Sequence, residues 1–550
     1  MLRLFRQHYI RECTELDGMW DFKMNGSNQT YRMPVPGCWE QHPDFVKYRG
    51  NGVYTKDVYI AKSGAVRLVF KGVSHTADVY FDGEKIAHHY NAFTPFSAVV
   101  KNAAAGEHHI RVEADNTFGV HSALHVPNDY YTYGGIIRSV AMERISSVYI
   151  ENVHFTPFIK NGVWMAKIEV EVSNLLNEKA AAELKITVAG ITASHSIEID
   201  AQSTKTAVLE QTFDSVKPWS HEEPNLYMLN AVLYIDGEEV DDLIDRVGFR
   251  TVEICGTKIK LNGREIFLKG FNRHEDYASL GCAVPFQLMV RDMDLMQDMG
   301  ANALRTCHYP NDELFLDMCD ERGIMVWEEN HARGLGIDGM NNPNFDQQCE
   351  NCIREMIGNH YNHPSIIIWG ILNECASHTE EGREKYKKQY EQIKSMDKSR
   401  PTTSATCQHF KDICLDLPDI VSFNQYTGWY EECPCDERKD REIDWIKKSG
   451  GENKPIIVSE FGAAAVYGYR DRSRCKWSEE GQADIIRNDL EVYMNDENIS
   501  GVFIWQFADC RITEESIWYA TRARCHNNKG IVDEYRRPKI AYDVIKEMFH

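Results

Sequence analysis

The chain has 550 residues and a net charge of −22, with 61 Lys and Arg against 83 Asp and Glu. This length exceeds what one hydrophobic core normally supports, so we expect about three domains, and the 43% apolar content excludes a disordered chain. The negative charge, and the lack of any block of five or more Lys and Arg, argue against nucleic acid or anionic membranes as partners.

The N-terminal residues 1–11 alternate charged and apolar side chains and contain no hydrophobic segment typical of a secretion signal. The sequence contains no run of about 18 apolar residues, so it predicts no membrane span. We therefore expect a cytoplasmic location. The 16 cysteines are mostly scattered singly, as in proteins with reduced thiols. The Cys349–Cys352 pair, in a predicted helix, and the Cys433–Cys435 pair, in a predicted loop, are interpreted as structural, without metal or redox function.

Residues 1–147 contain many short strand-like runs, including residues 67–70, 77–81 and 108–114, with a turn at Asp82-Gly83. Runs of this length between turns predict an all-β sandwich. The sandwich ends in an aromatic and glycine-rich loop at residues 129–138. Such a loop either packs against a neighbouring domain or reaches a ligand.

Residues 148–252 give a second series of strands, including residues 164–172, 183–188 and 226–234. About 100 residues with a turn every 8–12 residues predict an immunoglobulin-like β-sandwich. No set of catalytic side chains occurs here, so we interpret this domain as a spacer.

Residues 253–550 alternate apolar runs with helical stretches, which indicates repeated βα units. Predicted strands are residues 266–272, 303–306, 324–327, 366–372, 402–405, 420–424, 456–459 and 501–505. Predicted helices are residues 287–299, 312–322, 347–360, 380–396 and 481–494. Eight strands with intervening helices in about 300 residues predict a closed (β/α)8 TIM barrel.

Polar and aromatic side chains stand where these strands end, at the face where barrel enzymes carry out chemistry. They are His274 with Glu275 and Asp276, Arg305 with His308, Glu328 with Glu329, Asn373 with Glu374, Asn424 with Tyr426, Glu460, and Trp505 with Asp509. Acidic, amide and aromatic groups on one face are typical of carbohydrate chemistry.

Two glutamates follow very apolar strands, Glu374 after residues 366–372 and Glu460 after residues 456–459. Cleaving an acetal requires a proton for the leaving oxygen and negative charge near the developing oxocarbenium ion. We assign Glu374 as the acid/base, next to Asn373, whose amide can hold a sugar hydroxyl, and Glu460 as the nucleophile. Retention of configuration requires the two carboxyl groups to lie about 5–5.5 Å apart.

The chain resembles glycoside hydrolase family two in the order of its three domains and in four motifs. These are Gly-Phe-Asn-Arg-His-Glu-Asp at residues 270–276, Arg-Thr-Cys-His-Tyr-Pro at 305–310, Trp-Gly-Ile-Leu-Asn-Glu at 369–374 and Ser-Glu-Phe-Gly-Ala at 459–463. The family comprises retaining β-galactosidases, β-mannosidases and β-glucuronidases. The resemblance implies that the sandwich of residues 1–147 is of the jelly-roll-like, sugar-binding type. By this resemblance too, Glu374 is the acid/base and Glu460 the nucleophile.

Two further segments resemble those of the β-glucuronidases. Residues 424–430, Asn-Gln-Tyr-Thr-Gly-Trp-Tyr, would place Tyr426 beside the nucleophile and Trp429 and Tyr430 around the sugar. Asn527 and Lys529 match the Asn-x-Lys motif that holds the uronic carboxylate. A lysine ammonium with a neighbouring amide donor suits a carboxylate better than a neutral hexose.

One position departs from the β-glucuronidase pattern. In those enzymes an arginine four residues before the motif's asparagine pairs with an aspartate of the first domain, and the two bind O4 of the sugar. Asp129 matches the aspartate, but Ala523 stands at the arginine position. Arg522 or Arg524 could substitute after a shift of one residue, and Arg333 could supply another polar contact. An altered O4 contact would make a galacturonide the alternative substrate.

The sequence thus predicts a retaining exo-β-glucuronidase without cofactor or metal, with a β-galacturonidase and then a β-galactosidase as alternatives. The short loop at residues 331–347 predicts an open active-site mouth that suits larger glycans or is closed by another subunit, and we expect a homo-oligomer. A carbohydrate-binding protein is the non-enzymatic alternative, although it would not need both glutamates. His308, His331, His360 and His363 lack the spacing of a metal hydrolase.

Overall fold

The computed structural model describes residues 2–550 and begins with a sandwich of antiparallel strands. Its strands are β1 Glu12–Glu15, β2 Gly18–Met24, β3 Tyr31–Val35, β4 Asn51–Ile60, β5 Gly64–Phe70, β6 Val73–Ser74, β7 Thr76–Phe81, β8 Glu84–Tyr90, β9 Phe96–Ala103, β10 Gly106–Asp115, β11 Gly135–Ile136 and β12 Val140–Ile145. The sheets have the orders β3-β2-β4-β10-β7-β8 and β1-β12-β5-β9. Alternate side chains such as Trp20, Phe22, Leu68 and Val112 fill the core between them.

A second sandwich follows directly along the chain. Its strands are β13 Val148–Lys160, β14 Val163–Asn174, β15 Ala180–Val188, β16 Ile191–Ile199, β17 Ser203–Phe213, β18 Tyr227–Ile235 and β19 Glu238–Val247. Three strands in the order β13-β14-β17 pack on four in the order β16-β15-β18-β19. A small sheet precedes the barrel in the chain. Its strands are β20 Val252–Cys255, β21 Lys258–Leu261 and β22 Arg264–Glu265.

Eight parallel strands close into a barrel, which confirms the predicted fold of two sandwiches and a TIM barrel. They are β23 Leu268–Asn272, β24 Ala303–Thr306, β25 Met325–Glu329, β26 Ile366–Ile371, β27 Thr402–Thr406, β28 Val421–Asn424, β29 Ile456–Phe461 and β30 Ile499–Ile504. All eight overlap the predicted strands. Every residue of β26 and β29 is buried, as expected for parallel strands covered on both faces.

Helices surround the barrel. They are α1 Phe286–Asp298, α2 Glu313–Arg322, α3 Ile337–Met340, α4 Phe345–His360, α5 Glu380–Met396, α6 Cys435–Ile446, α7 Glu479–Met494 and α8 Ile540–Phe549. The five predicted helices correspond to α1, α2, α4, α5 and α7, whereas α3, α6 and α8 were not predicted. Cys435 begins α6, so the prediction that it lies in a loop is wrong. No helix within residues 2–550 is long and apolar enough to cross a membrane.

The aromatic loop of the first sandwich is buried against the barrel. The Tyr133 hydroxyl donates to Asp276 at 2.8 Å, and the Tyr130 hydroxyl lies 3.1 Å from Nε2 of His331. Arg138 donates to Glu275 at 2.7 Å. These contacts fix the loop over the C-terminal face of the barrel, where it carries Asp129 into the main cavity of that face.

Candidate active site

A cavity of about 250 Å³ opens at the C-terminal ends of the barrel strands. Its lining combines carboxylates, cations and aromatic rings. The lining residues are Asp129, Arg333, Glu374, Cys407, His409, Asn424, Tyr426, Tyr430, Glu431, Glu460, Trp505, Trp518, Arg522 and Lys529. Both predicted catalytic glutamates therefore face the same space.

Glu460 lies within β29 and is almost fully buried. Nη1 of Arg305 donates to its Oε1 at 2.8 Å, and the Tyr426 hydroxyl donates to its Oε2 at 2.8 Å. Burial raises the pKa of Glu460, the charge of Glu374 adds to this, and Arg305 opposes it. Each carboxylate oxygen thus accepts a hydrogen bond from one donor, and the two donors together fix the orientation of the carboxylate.

The buried guanidinium of Arg305 donates hydrogen bonds to several side chains around Glu460. Its guanidinium donates to Oε2 and Oε1 of Glu329 at 2.9 and 3.0 Å, and to the side-chain oxygens of Asn373 and Asn272 at 2.9 Å each. Burial raises the pKa of Glu329 to about 7, against the opposing effect of Arg305. Because the guanidinium is planar and fully bonded, its position beside Glu460 is fixed.

Glu374 has a different environment. It lies just beyond the end of β26, with a φ of 54° that turns the chain into the cavity. The Asn424 amide donates to its Oε1 at 2.9 Å, and Nη2 of Arg333 lies 3.4 Å from its Oε2. Its side chain is 16% exposed, against 2% for Glu460. The two carboxylates therefore differ in solvent access and in hydrogen-bond partners.

Two amides lie beside this carboxylate pair. Oδ1 of Asn373 accepts from Arg305, while its buried Nδ2 has no hydrogen-bond partner among the described residues. Asn424 is oriented by Ser459, whose hydroxyl donates to its Oδ1 at 2.7 Å. A buried amide without a partner is costly, so the Asn373 Nδ2 is available to a ligand hydroxyl.

Arg333 reaches the cavity from the loop after β25. Its Nη1 donates to Oδ1 of Asn128 at 2.6 Å, and the Asn128 amide donates to the Arg333 carbonyl at 3.3 Å. The charges of Glu374 and Asp129 raise the pKa of Arg333 despite its burial. This arginine is thus a buried, oriented cation at the wall of the site, which the sequence suggested only as a possibility.

Lys529 lies against the Gly-Trp-Tyr loop, residues 428–430, and Asn527 lies beside Asp129. The Lys529 ammonium donates to the Tyr430 hydroxyl at 2.8 Å and lies 5.4 Å from the ring centre of Tyr426. Burial lowers the pKa of Lys529, and the nearby charge of Arg522 adds to this. The Asn527 amide donates to Oδ2 of Asp129 at 2.9 Å. A buried ammonium between aromatic rings favours an anionic ligand group.

Arg522 pairs with Asp129, although Ala523 stands at the arginine position of the β-glucuronidase pattern. Its Nε and Nη2 donate to Oδ1 and Oδ2 of Asp129 at 2.8 and 2.5 Å. Arg524 points elsewhere, since its side chain is 51% exposed and its Nη1 lies 3.6 Å from Glu534. Of the two arginines that the sequence offered, the structure therefore brings only Arg522 to Asp129.

Trp505 lines the cavity, and the buried rings of His274 and His308 pack against it without lining the cavity themselves. The His308 ring stacks on Trp505 with a centroid distance of 5.0 Å, and its Nδ1 lies 2.8 Å from Glu329. Nδ1 of His274 lies 3.1 Å from the Tyr309 hydroxyl. Burial lowers the pKa of His274 to about 3 and that of His308 well below its usual value, so both rings are neutral.

The Nε2 atoms of these two histidines are buried and have no partner among residues 2–550. Neither ring lines the cavity, so the substrate-binding role of these histidines stays a prediction.

Trp429 is buried and packs against Trp477 at a centroid distance of 5.2 Å. The centre of its ring lies 5.9 Å from the Lys529 ammonium, and Trp429 contacts this lysine without lining the cavity.

Among residues 2–550, two groups of buried side chains bring possible metal ligands close together. His274, Cys307 and His308 offer ligand atoms within 4.8 Å of one another, but Nη2 of Arg305 lies only 3.4 Å from Nδ1 of His308. A cation there would face the guanidinium charge. In the second group, Asp317, Asp320 and His363, the Asp317 carboxylate already pairs with Arg3 at 2.8 Å, and His363 contacts Asp320 at 2.6 Å.

Sequence reasoning missed four lining residues, Cys407, His409, Glu431 and Trp518, and also Asn128, which lies outside the lining. Cys407 and His409 follow β27, so the strand-end rule that located the other residues could have found them. Glu431 follows the Gly-Trp-Tyr motif directly. Asn128 precedes Asp129 and orients Arg333. Trp518 lies in an irregular segment, and no local pattern pointed to it.

Family models match almost the entire chain. The glycosyl hydrolases family 2 TIM barrel domain matches residues 252–550, the glycosyl hydrolases family 2 model residues 148–250, and the galactose-binding domain-like model of glycosyl hydrolase 2 residues 27–146.

Individual proteins match as well. The human β-glucuronidase is 28% identical, over 98% of this chain and 91% of its own length. A putative β-glucuronidase of Formosa agariphila is 27% identical over 91% of this chain, which spans only 64% of that relative.

A solved structure gives a closer match. The GH2 β-galacturonidase from Eisenbergiella tayi bound to galacturonate is 48% identical with a TM-score of 0.97, covering 100% of this chain and 99% of that one. The barrel-domain match alone spans more than half of the sequence. The chain belongs to glycosyl hydrolase family 2 and is a glycoside hydrolase.

Proposed function

We propose that this enzyme is a retaining exo-β-uronidase that prefers β-D-galacturonides. The observation that carries the uronide class is Lys529, a buried ammonium that donates to the Tyr430 hydroxyl in the same cavity as Glu374 and Glu460. Asp129, whose charge favours the ammonium, is already paired with Arg522. The lysine is therefore available to a substrate carboxylate.

The two glutamates take different parts in the proposed reaction. Glu460, held by Arg305 and Tyr426, attacks the anomeric carbon and forms a glycosyl-enzyme. Glu374 gives its proton to the leaving oxygen. In the second step Glu374 removes a proton from water as the water oxygen attacks the anomeric carbon. The bond to Glu460 breaks, and the sugar leaves with its configuration retained. The retaining course agrees with the family to which the chain belongs.

The proposed preference for galacturonide rests on Arg522, which pairs with Asp129 at the proposed contact to O4 of the sugar. Arg522 stands five residues before Asn527, one residue further than in the β-glucuronidase pattern, and reaches Asp129 through an irregular turn. Arg333 adds a second guanidinium to the same cavity. The 48% identity to a β-galacturonidase, against 28% to the human β-glucuronidase, agrees with a changed C4 contact.

A β-glucuronidase is the second candidate, because Asp129, Arg522, Asn527 and Lys529 together keep the charges and amide of that pattern. The test is kcat/KM on the 4-nitrophenyl β-glycosides of galacturonate, glucuronate, galactose and mannose. We expect galacturonide to exceed glucuronide by at least ~10-fold and both to exceed the neutral sugars. A faster glucuronide would favour the second candidate, and a faster galactoside or mannoside would exclude a uronidase.

A further inference from the structure

The cavity that Glu374 and Glu460 line is small. Its volume of about 250 Å³ lies below the ~300–1,000 Å³ typical of pockets that enclose a drug-sized ligand. Glu374, which gives its proton to the leaving group, is more exposed than Glu460. The group attached to the sugar therefore lies at the mouth of the cavity.

One side of the mouth is formed by the segment between β31 Cys510–Arg511 and β32 His526–Asn527. Trp518 of this segment lines the cavity, and the guanidinium carbons of Arg522 and Arg333 lie 5.3 and 5.9 Å from its ring centre. These contacts hold the indole beside the two arginines that reach into the sugar site.

The segment is also attached to the first sandwich and internally bonded. The Thr513 hydroxyl donates to the Tyr130 carbonyl at 3.1 Å, and the Trp518 amide donates to the Ser516 hydroxyl oxygen at 3.2 Å. The side chains on either side of the tryptophan, Ile517 and Tyr519, are 88% and 50% exposed. Apolar surface therefore continues from the indole towards solvent.

The other side of the mouth follows β27. His409 lines the cavity and is oriented by Glu442, 2.9 Å from its Nδ1. Phe410 is 42% exposed and is held by Arg438, whose guanidinium carbon lies 4.9 Å from the ring centre. The carboxylate of Glu431, which also lines the cavity, is paired with Arg438 at 2.6 Å.

The rim therefore combines aromatic faces with polar groups that already have partners. We infer that Trp518 forms a subsite for the aglycone and that the preferred aglycone is planar and apolar, as in an aryl uronide. This inference rests on the proposed uronidase function and extends it to the leaving group. Ring stacking together with the burial of apolar area on the indole supplies the attraction.

The two-step reaction gives this subsite a specific kinetic signature. The aglycone departs when the glycosyl-enzyme forms, so Trp518 can influence only steps up to that point. Losing the indole should lower kcat/KM for aryl substrates. Hydrolysis of the glycosyl-enzyme should keep its rate, because the aglycone has already left.

The test compares two substrates with the same sugar, methyl and 4-methylumbelliferyl β-D-galacturonide, in wild type, Trp518→Ala and Trp518→Phe. We expect Trp518→Ala to lower kcat/KM about 10-fold for the aryl substrate and less than ~3-fold for the methyl substrate. Trp518→Phe should recover part of the loss. Each variant is compared with wild type on the same substrate, so the different reactivities of the leaving groups cancel.

Tyr519→Ala is the matched control, since Tyr519 is an exposed aromatic residue next in the chain that does not line the cavity. Its two kcat/KM values should equal those of wild type. The inhibition constant of free galacturonic acid should be unchanged in Trp518→Ala, which reports an intact sugar site. Equal losses on both substrates, or no loss on the aryl substrate, would overturn the inference.

Failure of the proposed function gives a different result. If wild type cleaves galactosides instead of uronides, the proposed function is wrong, but the methyl and aryl galactosides still test Trp518. The inference stands if the aryl substrate alone loses rate, and falls if the two lose rate equally.

Discussion

Arg522 and Asp129, 393 residues apart in the chain, form an ion pair with two hydrogen bonds inside the active-site cavity. Both side chains are more than nine-tenths buried, and the pair joins the first sandwich to the barrel. The pair also receives the Asn527 amide, so one cluster connects domain docking with the proposed contact to the sugar's O4.

Arg522→Ala should lower kcat/KM for galacturonide by about 10- to 100-fold, because a charged hydrogen bond contributes about 1.5–3 kcal/mol. It should also reduce the discrimination between galacturonide and glucuronide. Arg524→Ala, two residues away and pointing to Glu534, is the control and should stay within ~2-fold of wild type. A larger loss in Arg524→Ala than in Arg522→Ala would contradict the assignment.

The carboxylate pair can be separated by leaving-group chemistry. Glu460→Gln should abolish turnover of every substrate, since no covalent intermediate can form. Glu374→Ala should slow substrates with poor leaving groups far more than dinitrophenyl glycosides, which need no proton. Added azide should then accelerate Glu374→Ala and yield the β-glycosyl azide, detectable by NMR. Full activity of Glu460→Gln would exclude it as the nucleophile.

Lys529→Met removes the ammonium while keeping an apolar stem of similar length. It should lower kcat/KM for galacturonide by about 10- to 100-fold, the value of a charge-assisted hydrogen bond. Any activity on the matching galactoside should change far less. Lys476→Met is the control, because Lys476 is exposed and donates only to the Trp429 carbonyl. Equal losses on both sugars would mean that Lys529 does not recognise the carboxylate.

The strand ends explain how much of this site was predictable. Apolar runs define strands such as β26 and β29, and the chain leaves a barrel strand at its C-terminal end, so Glu374 and Glu460 follow from local sequence. The same reasoning locates Arg305 and Asn424. These positions depend on the regular geometry of the barrel and not on the details of the loops.

Residues on irregular segments could not be predicted in this way. Arg522 reaches Asp129 through a turn in which Arg524 has a φ of 59°, a conformation that depends on tertiary contacts. Trp518 lies in the same irregular region. The sequence offered Arg522 and Arg524 equally, and the choice between them is made by contacts between distant segments.

Glu329 and its neighbour Glu328 offer a matched pair of buried carboxylates. Glu329 accepts two hydrogen bonds from Arg305, whereas Glu328 contacts His360 at 3.0 Å. Because burial raises the pKa of Glu329 to about 7, this carboxyl is protonated below that pH, and Glu329→Gln removes a negative charge beside Arg305 only above it.

The readout is the acidic limb of the profile of kcat/KM against pH, which reports the nucleophile of the free enzyme. Below about pH 7 the limb should stay in place in both Glu329→Gln and Glu328→Gln, even if both variants lose stability. A limb that moves to lower pH in Glu329→Gln alone would show that Glu329 is ionised beside Arg305 at that pH and would contradict this prediction.

Neutral histidines at the docked face of the first sandwich should make the protein sensitive to acid. His75 is fully buried and stacks on His125 at 4.3 Å, which in turn contacts His331 at 4.3 Å. Burial lowers the pKa of His75 and of His331 to about 3. The unfolded chain binds protons near pH 6.5, so stability falls as the pH drops below 6.5 and continues to fall towards 3.

Each such histidine should cost about 2 kcal/mol of unfolding free energy at pH 5 relative to pH 7.5. His75→Phe keeps a ring in the stack and removes one of these titrating groups, so its stability should depend less on pH. The check is urea unfolding at pH 7.5 and pH 5.0, with His88→Phe, an exposed residue of the same sandwich, as control. If His75→Phe and wild type lose the same stability between these pH values, protonation of His75 does not contribute to acid unfolding.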